Sequence, residues 1–179
     1  MTVKKVITTV NRRLSNILRY NNTPRIRGES VAEHSFYVAF YVMMLSDFVE
    51  GIDKDKALCM ALLHDVEEAI SGDIPQNVKN EYPVLNEALE EMNFLIAKKI
   101  FTGVDEKYLN LWCSTREINT LESKLVLLAD ILSGYMYTLD ELNMGNTFMK
   151  HINLYQYEKI QSIISKEPKF EVLSEVLQL

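Results

Sequence analysis

Apolar residues in this chain recur at steps of three and four almost throughout, and strand-like alternation is hard to find, which leaves packed helices as the main option. From about Val3 to Tyr20, the residues Val6, Val10, Leu14, Ile17 and Leu18 keep helical spacing. Ser30 and Glu33 have the spacing of a capping box and predict a helix from there to about Glu50, closed by Gly51. That segment is apolar nearly all round, so a central, buried position is expected. Asp53 predicts the cap of a helix over Lys54–Ile70 that stops at Ser71-Gly72. Pro75 permits a short turn through Lys79, and Pro83 opens a helix to about Phe101. Further helices are expected over Asp105–Thr115, Thr120–Leu142, Asn146–Ser165 and Phe170–Leu177. The result is an all-α chain, a single bundle of seven or eight helices over 1–179, without repeats, linkers or low-complexity segments.

Length and charge narrow the functions open to such a bundle. With 179 residues, 47% of them apolar, one compact domain with a real core is expected. The net charge of −6 argues against a nucleic-acid polymer as partner. Charge is unevenly spread, however: residues 1–28 carry Lys4, Lys5, Arg12, Arg13, Arg19, Arg25 and Arg27 and no acid. The longest apolar run, Phe36 to Leu45, is too short for the roughly 18 residues that cross a bilayer, so no membrane partner is expected. The first residues lack a signal-peptide apolar core, and a cytoplasmic protein is the expectation. Cys59 and Cys113 sit among apolar neighbours and read as buried, reduced thiols; without a CxxC, a cysteine zinc site is ruled out.

Three histidines are present: His34, His64 and His151. Glu33-His34 and His64-Asp65 each set an imidazole beside a carboxylate, a donor mixture suited to a borderline divalent ion. On a continuous helix Glu68 falls one turn after His64, on the same face. Asp130 interrupts the apolar run Leu125–Leu132, where a buried carboxylate needs a cation or hydrogen-bond donors. His151 fits no motif and reads as a surface residue. Taken singly, each of these residues has an ordinary structural explanation; their joint order does not.

That order, a His, a His-Asp pair thirty residues later and an Asp sixty-five residues beyond, resembles the metal-dependent HD-domain phosphohydrolases. The blocks Asn16-Ile17-Leu18-Arg19-Tyr20, Arg27-Gly28-Glu29-Ser30-Val31-Ala32-Glu33-His34-Ser35, Leu63-His64-Asp65-Val66-Glu67-Glu68, Ser71-Gly72-Asp73-Ile74-Pro75 and Leu128-Ala129-Asp130 resemble the bacterial YfbR-type 5′-deoxynucleotidases. The resemblance implies that His34, His64, Asp65 and Asp130 hold one divalent ion, with Mn, Co, Fe, Ni, Zn and Mg all left open. It implies that Glu68 and Asp73 act at the reacting phosphate and sugar, and that Arg19 meets the phosphate. A guanidinium can grip a phosphate in two-pronged fashion, which a lysine cannot. Tyr20 stands where the family usually has Trp, so the choice between deoxyribose and ribose is open. Arg27 and Lys79 complete the expected substrate contacts.

The implied activity is release of the 5′-phosphate from deoxynucleoside monophosphates. A triphosphohydrolase with the same metal site and an inactive regulatory helical module are the alternatives. A cyclic dinucleotide phosphodiesterase fits less well, because no His-Asp-Gly-Tyr-Pro string occurs. The Tyr- and Met-rich C-terminal third (Tyr135, Met136, Tyr137, Met144, Met149, Tyr155 and Tyr157) is expected to be mostly core, with a homodimer face as the functional alternative.

Overall fold

The structure, a computed structural model, describes residues 3–177, without the side chains of residues 77, 80 and 83. Among the described residues it forms α1 (Val3–Val10), α2 (Val31–Leu45), α3 (Lys54–Leu63), α4 (Glu68–Ser71), α5 (Gln76–Glu81), α6 (Pro83–Phe101), α7 (Lys107–Glu117), α8 (Leu121–Asn143), α9 (Lys150–Lys166) and α10 (Glu171–Leu177). Eight of these have seven residues or more, in keeping with the sequence expectation. Strand pairing among the described residues is limited to an isolated antiparallel bridge, Leu18 to Ser30. No helix among them is long and apolar enough to cross a membrane.

The helix starts follow local chemistry. Ser30 accepts the Glu33 backbone N–H while Glu33 accepts the Ser30 N–H, so two otherwise unpaired donors are met at the start of α2. Thr120 and Ser123 do the same for α8, and Asp53 caps α3 through the Lys56 N–H. The main core lies between α2, α3, α8, α9 and α10, with Val38, Val42, Met60, Leu125, Leu128, Ile160 and Phe170 fully enclosed. A smaller cluster of Val66, Ala97, Ile100, Phe101 and Trp112 fixes α6 and α7 to the end of α3.

Several sequence expectations change. The N-terminal helix ends at Val10 rather than near Tyr20: Arg12 takes a left-handed φ of 48°, Ile17 is extended, Leu18 bridges to Ser30, and Tyr20 is again left-handed. Arg19 N–H bonds the Glu29 carbonyl and Val31 N–H the Ile17 carbonyl, so this segment is held by pairing with residues 29–31. The helix expected over Lys54–Ile70 breaks at His64. The backbone N–H groups of Val66, Glu68, Ala69 and Ile70 reach back three residues, to Leu63, Asp65, Val66 and Glu67. Arg116 takes the His64 carbonyl, which competes with continuation of the α-helical ladder. The segment α2 is buried on one side only; Phe36, Tyr37, Phe40 and Met44 face outward. Cys59 is exposed and Cys113 half-buried, correcting the expectation of two buried thiols. His151 is exposed, as expected. In the C-terminal third, Tyr137 and Met149 are core, Tyr135 and Tyr157 half-buried, and Met136, Met144 and Tyr155 exposed.

Candidate metal centre

Three helices bring four donors together. His34 projects from the first turn of α2, His64 and Asp65 from the tightened turn that closes α3, and Asp130 from the middle of α8. His34, His64 and Asp130 each offer a donor atom within 4.8 Å of the others. The two Nε2 atoms are 3.3 Å apart; Asp130 Oδ1 lies 3.0 Å from His34 Nε2, and Asp65 Oδ2 lies 3.0 Å from His64 Nε2 and 3.7 Å from His34 Nε2.

The donor chemistry fits a divalent ion. His64 Nδ1 sits 2.7 Å from the Ala61 carbonyl, which can only accept, so the proton belongs there and Nε2 keeps a lone pair facing the cluster. His34 Nδ1 differs: it lies 2.9 Å from Ser133 Oγ, which can donate or accept, and 2.8 Å from Arg19 Nη1, which can only donate, so this nitrogen accepts from the guanidinium. Two carboxylates close on two imidazoles need positive charge. Burial works against a protonated His64, yet Asp65, Asp130 and the Ala61 carbonyl together outweigh it and lift His64 to about 9. Burial and the neighbouring Arg19 push His34 down to about 4. Burial also opposes charge on Asp65 and Asp130, but His64 holds the first well below the ordinary carboxylate range and His34 lowers the second.

Around this cluster stand the other expected residues. Glu68 opens α4, where burial and the Asp65, Asp73 and Glu67 carboxylates push it up to about 10. Asp73 follows Gly72, whose φ of 75° ends α4, and burial raises Asp73 while Arg19 and Lys79 pull it down. The Tyr20 backbone N–H bonds the Asp73 carboxylate, and Asn21 Nδ2 donates to the Asp73 carbonyl at 3.0 Å. Arg19 Nη1 donates to Glu29 Oε2 at 2.8 Å and lies 2.8 Å from His34 Nδ1. Burial alone would weaken the charge on Arg19; Tyr20, Glu29, Asp130 and Asp65 more than restore it. Tyr20 stacks on Tyr137, with ring centroids 5.0 Å apart. Lys79 is close enough to influence Asp73. Arg27 is exposed, with a guanidinium felt by Glu29 and Glu33 but a backbone fixed elsewhere.

Sequence reasoning missed the supports of this site. Glu67, adjacent to Glu68, is buried and accepts from Trp112 Nε1 at 2.7 Å and from Arg116 Nη2. Arg116 also donates to the His64 carbonyl at 2.7 Å and comes within 4.0 Å of Asp65 Oδ1. Glu141, wholly enclosed, accepts the Ile26 N–H at 2.8 Å, the Arg27 N–H at 2.7 Å and Asn146 Nδ2 at 2.6 Å. Tyr137 donates its hydroxyl to the Arg27 carbonyl at 2.5 Å. Of these, only Glu67 and Arg116 carried a readable signal: an acid beside the His-Asp pair, and the one arginine outside residues 12–27.

An all-helical bundle that gathers two histidines and two aspartates from three helices has the architecture of the HD-domain phosphohydrolases. The cyanophage S-2L HD phosphohydrolase, whose structure holds dA and one catalytic Zn2+ ion, superposes with a TM-score of 0.69 over 99% of this chain and 96% of its own, at 16% identity, a likeness of fold. A protein of known structure from Pyrococcus horikoshii superposes with a TM-score of 0.80 at 27% identity, over 98% of this chain and 96% of its own. Residues 7–176 match the model of the YfbR-like 5′-deoxynucleotidase family, and the chain belongs to that family. A 5′-deoxynucleotidase of Photorhabdus laumondii is 29% identical over 143 residues, 75% of this chain and 72% of the relative.

Proposed function

We propose that this protein, working as one domain over 1–179, is a metal-dependent phosphomonoesterase that removes the 5′-phosphate of deoxynucleoside monophosphates. The observation that carries the reading is the convergence of His34, His64, Asp65 and Asp130 beside Arg19. A divalent ion held by those four groups supplies Lewis acidity toward a phosphate oxygen and lowers the pKa of a water. Which of Mn, Co, Fe, Ni, Zn or Mg is native is not fixed by such ligands. Arg19, preset by Glu29, meets the phosphate with its guanidinium. Glu68, which opens α4 just after the His64-Asp65 turn, orients and deprotonates the attacking water. Asp73, fixed by Tyr20 and Asn21, faces the sugar and the leaving oxygen. Tyr20 borders the sugar, with Lys79 and Arg27 as outer cationic contacts.

A cytoplasmic setting belongs to the same proposal, with neither a nucleic-acid polymer nor a membrane as partner. The outward aromatic side of α2, with Phe36, Tyr37, Phe40 and Met44, supports a homodimer, which light scattering on the purified protein tests. For the activity, purified protein loaded with each metal in turn is offered mono- and triphosphates, ribo and deoxy. Inorganic phosphate from deoxynucleoside monophosphates is the expected product. Tripolyphosphate from triphosphates would replace this reading with a triphosphohydrolase, and no turnover with metal bound would favour a binding module.

A further inference from the structure

We infer that Gln156, on α9 and outside every sequence motif, is a positioning residue for the nucleoside end of the substrate, acting through the ring of Tyr20. This rests on the phosphomonoesterase reading. Tyr20 holds a left-handed φ of 53°, a conformation that disfavours a non-glycine residue by about 1 kcal/mol or more and persists only where the surroundings enforce it. They enforce it from several sides. The Tyr20 N–H goes to the Asp73 carboxylate, its carbonyl accepts from Arg25 Nη1 at 2.9 Å, and its ring stacks on Tyr137.

The ring's far end is fixed by Gln156, whose Nε2 donates to the Tyr20 hydroxyl at 3.0 Å. The amide has its own restraint: Gln156 Oε1 lies 2.9 Å from Thr138 Oγ1, which in turn accepts from Asn153 Nδ2 at 3.0 Å. Space for this arrangement comes from Gly134 on α8. A Cβ there would sit 2.3 Å from Gln156 Nε2 and 3.0 Å from the Tyr20 hydroxyl oxygen. The two long helices α8 and α9 thus form a slot that seats one phenol.

The Arg19 guanidinium lies over that phenol ring, 5.3 Å from its centroid. A phosphate bound by Arg19 therefore carries its ester group past a wall whose position Gln156 sets. Inorganic phosphate, a product of the proposed reaction, ends before that wall. The two ligands separate a role at the nucleoside end from a role at the phosphate.

The test is Gln156→Met, which keeps the length and apolar bulk but removes the donor. The Michaelis constant for a deoxynucleoside monophosphate is expected to rise about three- to tenfold, the worth of one hydrogen bond. Bound metal and the inhibition constant of inorganic phosphate should stay within about twofold. Combined with Tyr20→Phe, the two losses should fall short of multiplying, because both remove the same bond. Gly134→Ala, which suits helical backbone, should reproduce the effect by displacing the amide, and so guards against a folding failure of the first variant. An unchanged Michaelis constant, a phosphate constant that moves in step with it, or fully multiplying losses would overturn the inference while leaving the phosphomonoesterase reading intact. A wild-type protein that releases no phosphate from any nucleoside monophosphate removes both.

Discussion

Asp130 and Glu141 lie eleven residues apart on α8, yet they organise their surroundings by opposite means. Around Asp130 the donors come from two regular helices and the tightened turn that closes a third. Around Glu141 the partners are the Asn146 side-chain amide and two backbone N–H groups of an irregular segment, residues 24–27, with no secondary structure of its own. The His-Asp cluster is thus built where helices meet. Residues 24–27 form an arm tied down by single side chains from a distance. A site assembled this way can keep its ion while its grip on a substrate changes, and the two sides should fail separately when challenged.

The largest separation should come from Glu68→Ala. Turnover is expected to drop about a hundred- to ten-thousandfold, as for loss of a general base, with metal content near wild type by elemental analysis. Loss of metal in this variant would move Glu68 into the ligand set. Asp130→Asn should do the reverse, lowering metal affinity at least about a hundredfold and activity with it; unchanged occupancy would remove Asp130 from the centre. Arg116→Leu probes the support behind the ligands. Because Arg116 braces Glu67, the His64 carbonyl and Asp65, metal affinity should fall about ten- to a hundredfold, measured by titration calorimetry, without any direct contact with substrate.

Glu141→Gln targets the arm alone. A carboxylate accepting three N–H bonds becomes an amide whose NH2 cannot accept, so stability should fall by about 1–3 kcal/mol with metal affinity retained. The pH dependence sharpens this contrast. Burial opposes charge on Glu141, but its N–H donors hold the carboxyl below the ordinary range. Its stabilising contribution is therefore complete above the unfolded value and fades as pH falls through the folded one. Thermal melts below about pH 4.5 should show a shallower acid decline in the variant than in the wild type; parallel declines would mean that Glu141 does not govern the arm.

The same division explains what could be read from the sequence. Helical spacing, caps and the order of His34, His64-Asp65 and Asp130 are local patterns, and the structure joins those four residues. The break at His64 was hidden because its cause, Arg116, lies fifty-two residues away. The continuous helix expected to Tyr20 failed for the same reason: apolar spacing at Leu14, Ile17 and Leu18 is helical, but pairing with Glu29 and Val31 decides the backbone. Ser133, Gly134, Gln156 and Glu141 carry no motif, and their roles come into being only once α8 faces the arm and α9.

One face of α8 presents Asp130, Gly134, Tyr137, Thr138 and Glu141 in steps of three and four, the interval that ordinary helices reserve for their hydrophobic seam. Each helical residue advances about 1.5 Å and turns about 100°. Deleting a single residue anywhere along this stretch would swing one end of the row out of line with the other, whatever amino acid was lost. The helix therefore works as a calibrated spacer between the His-Asp cluster and the arm: substitutions along its outer side can drift, while its length between residues 130 and 141 cannot.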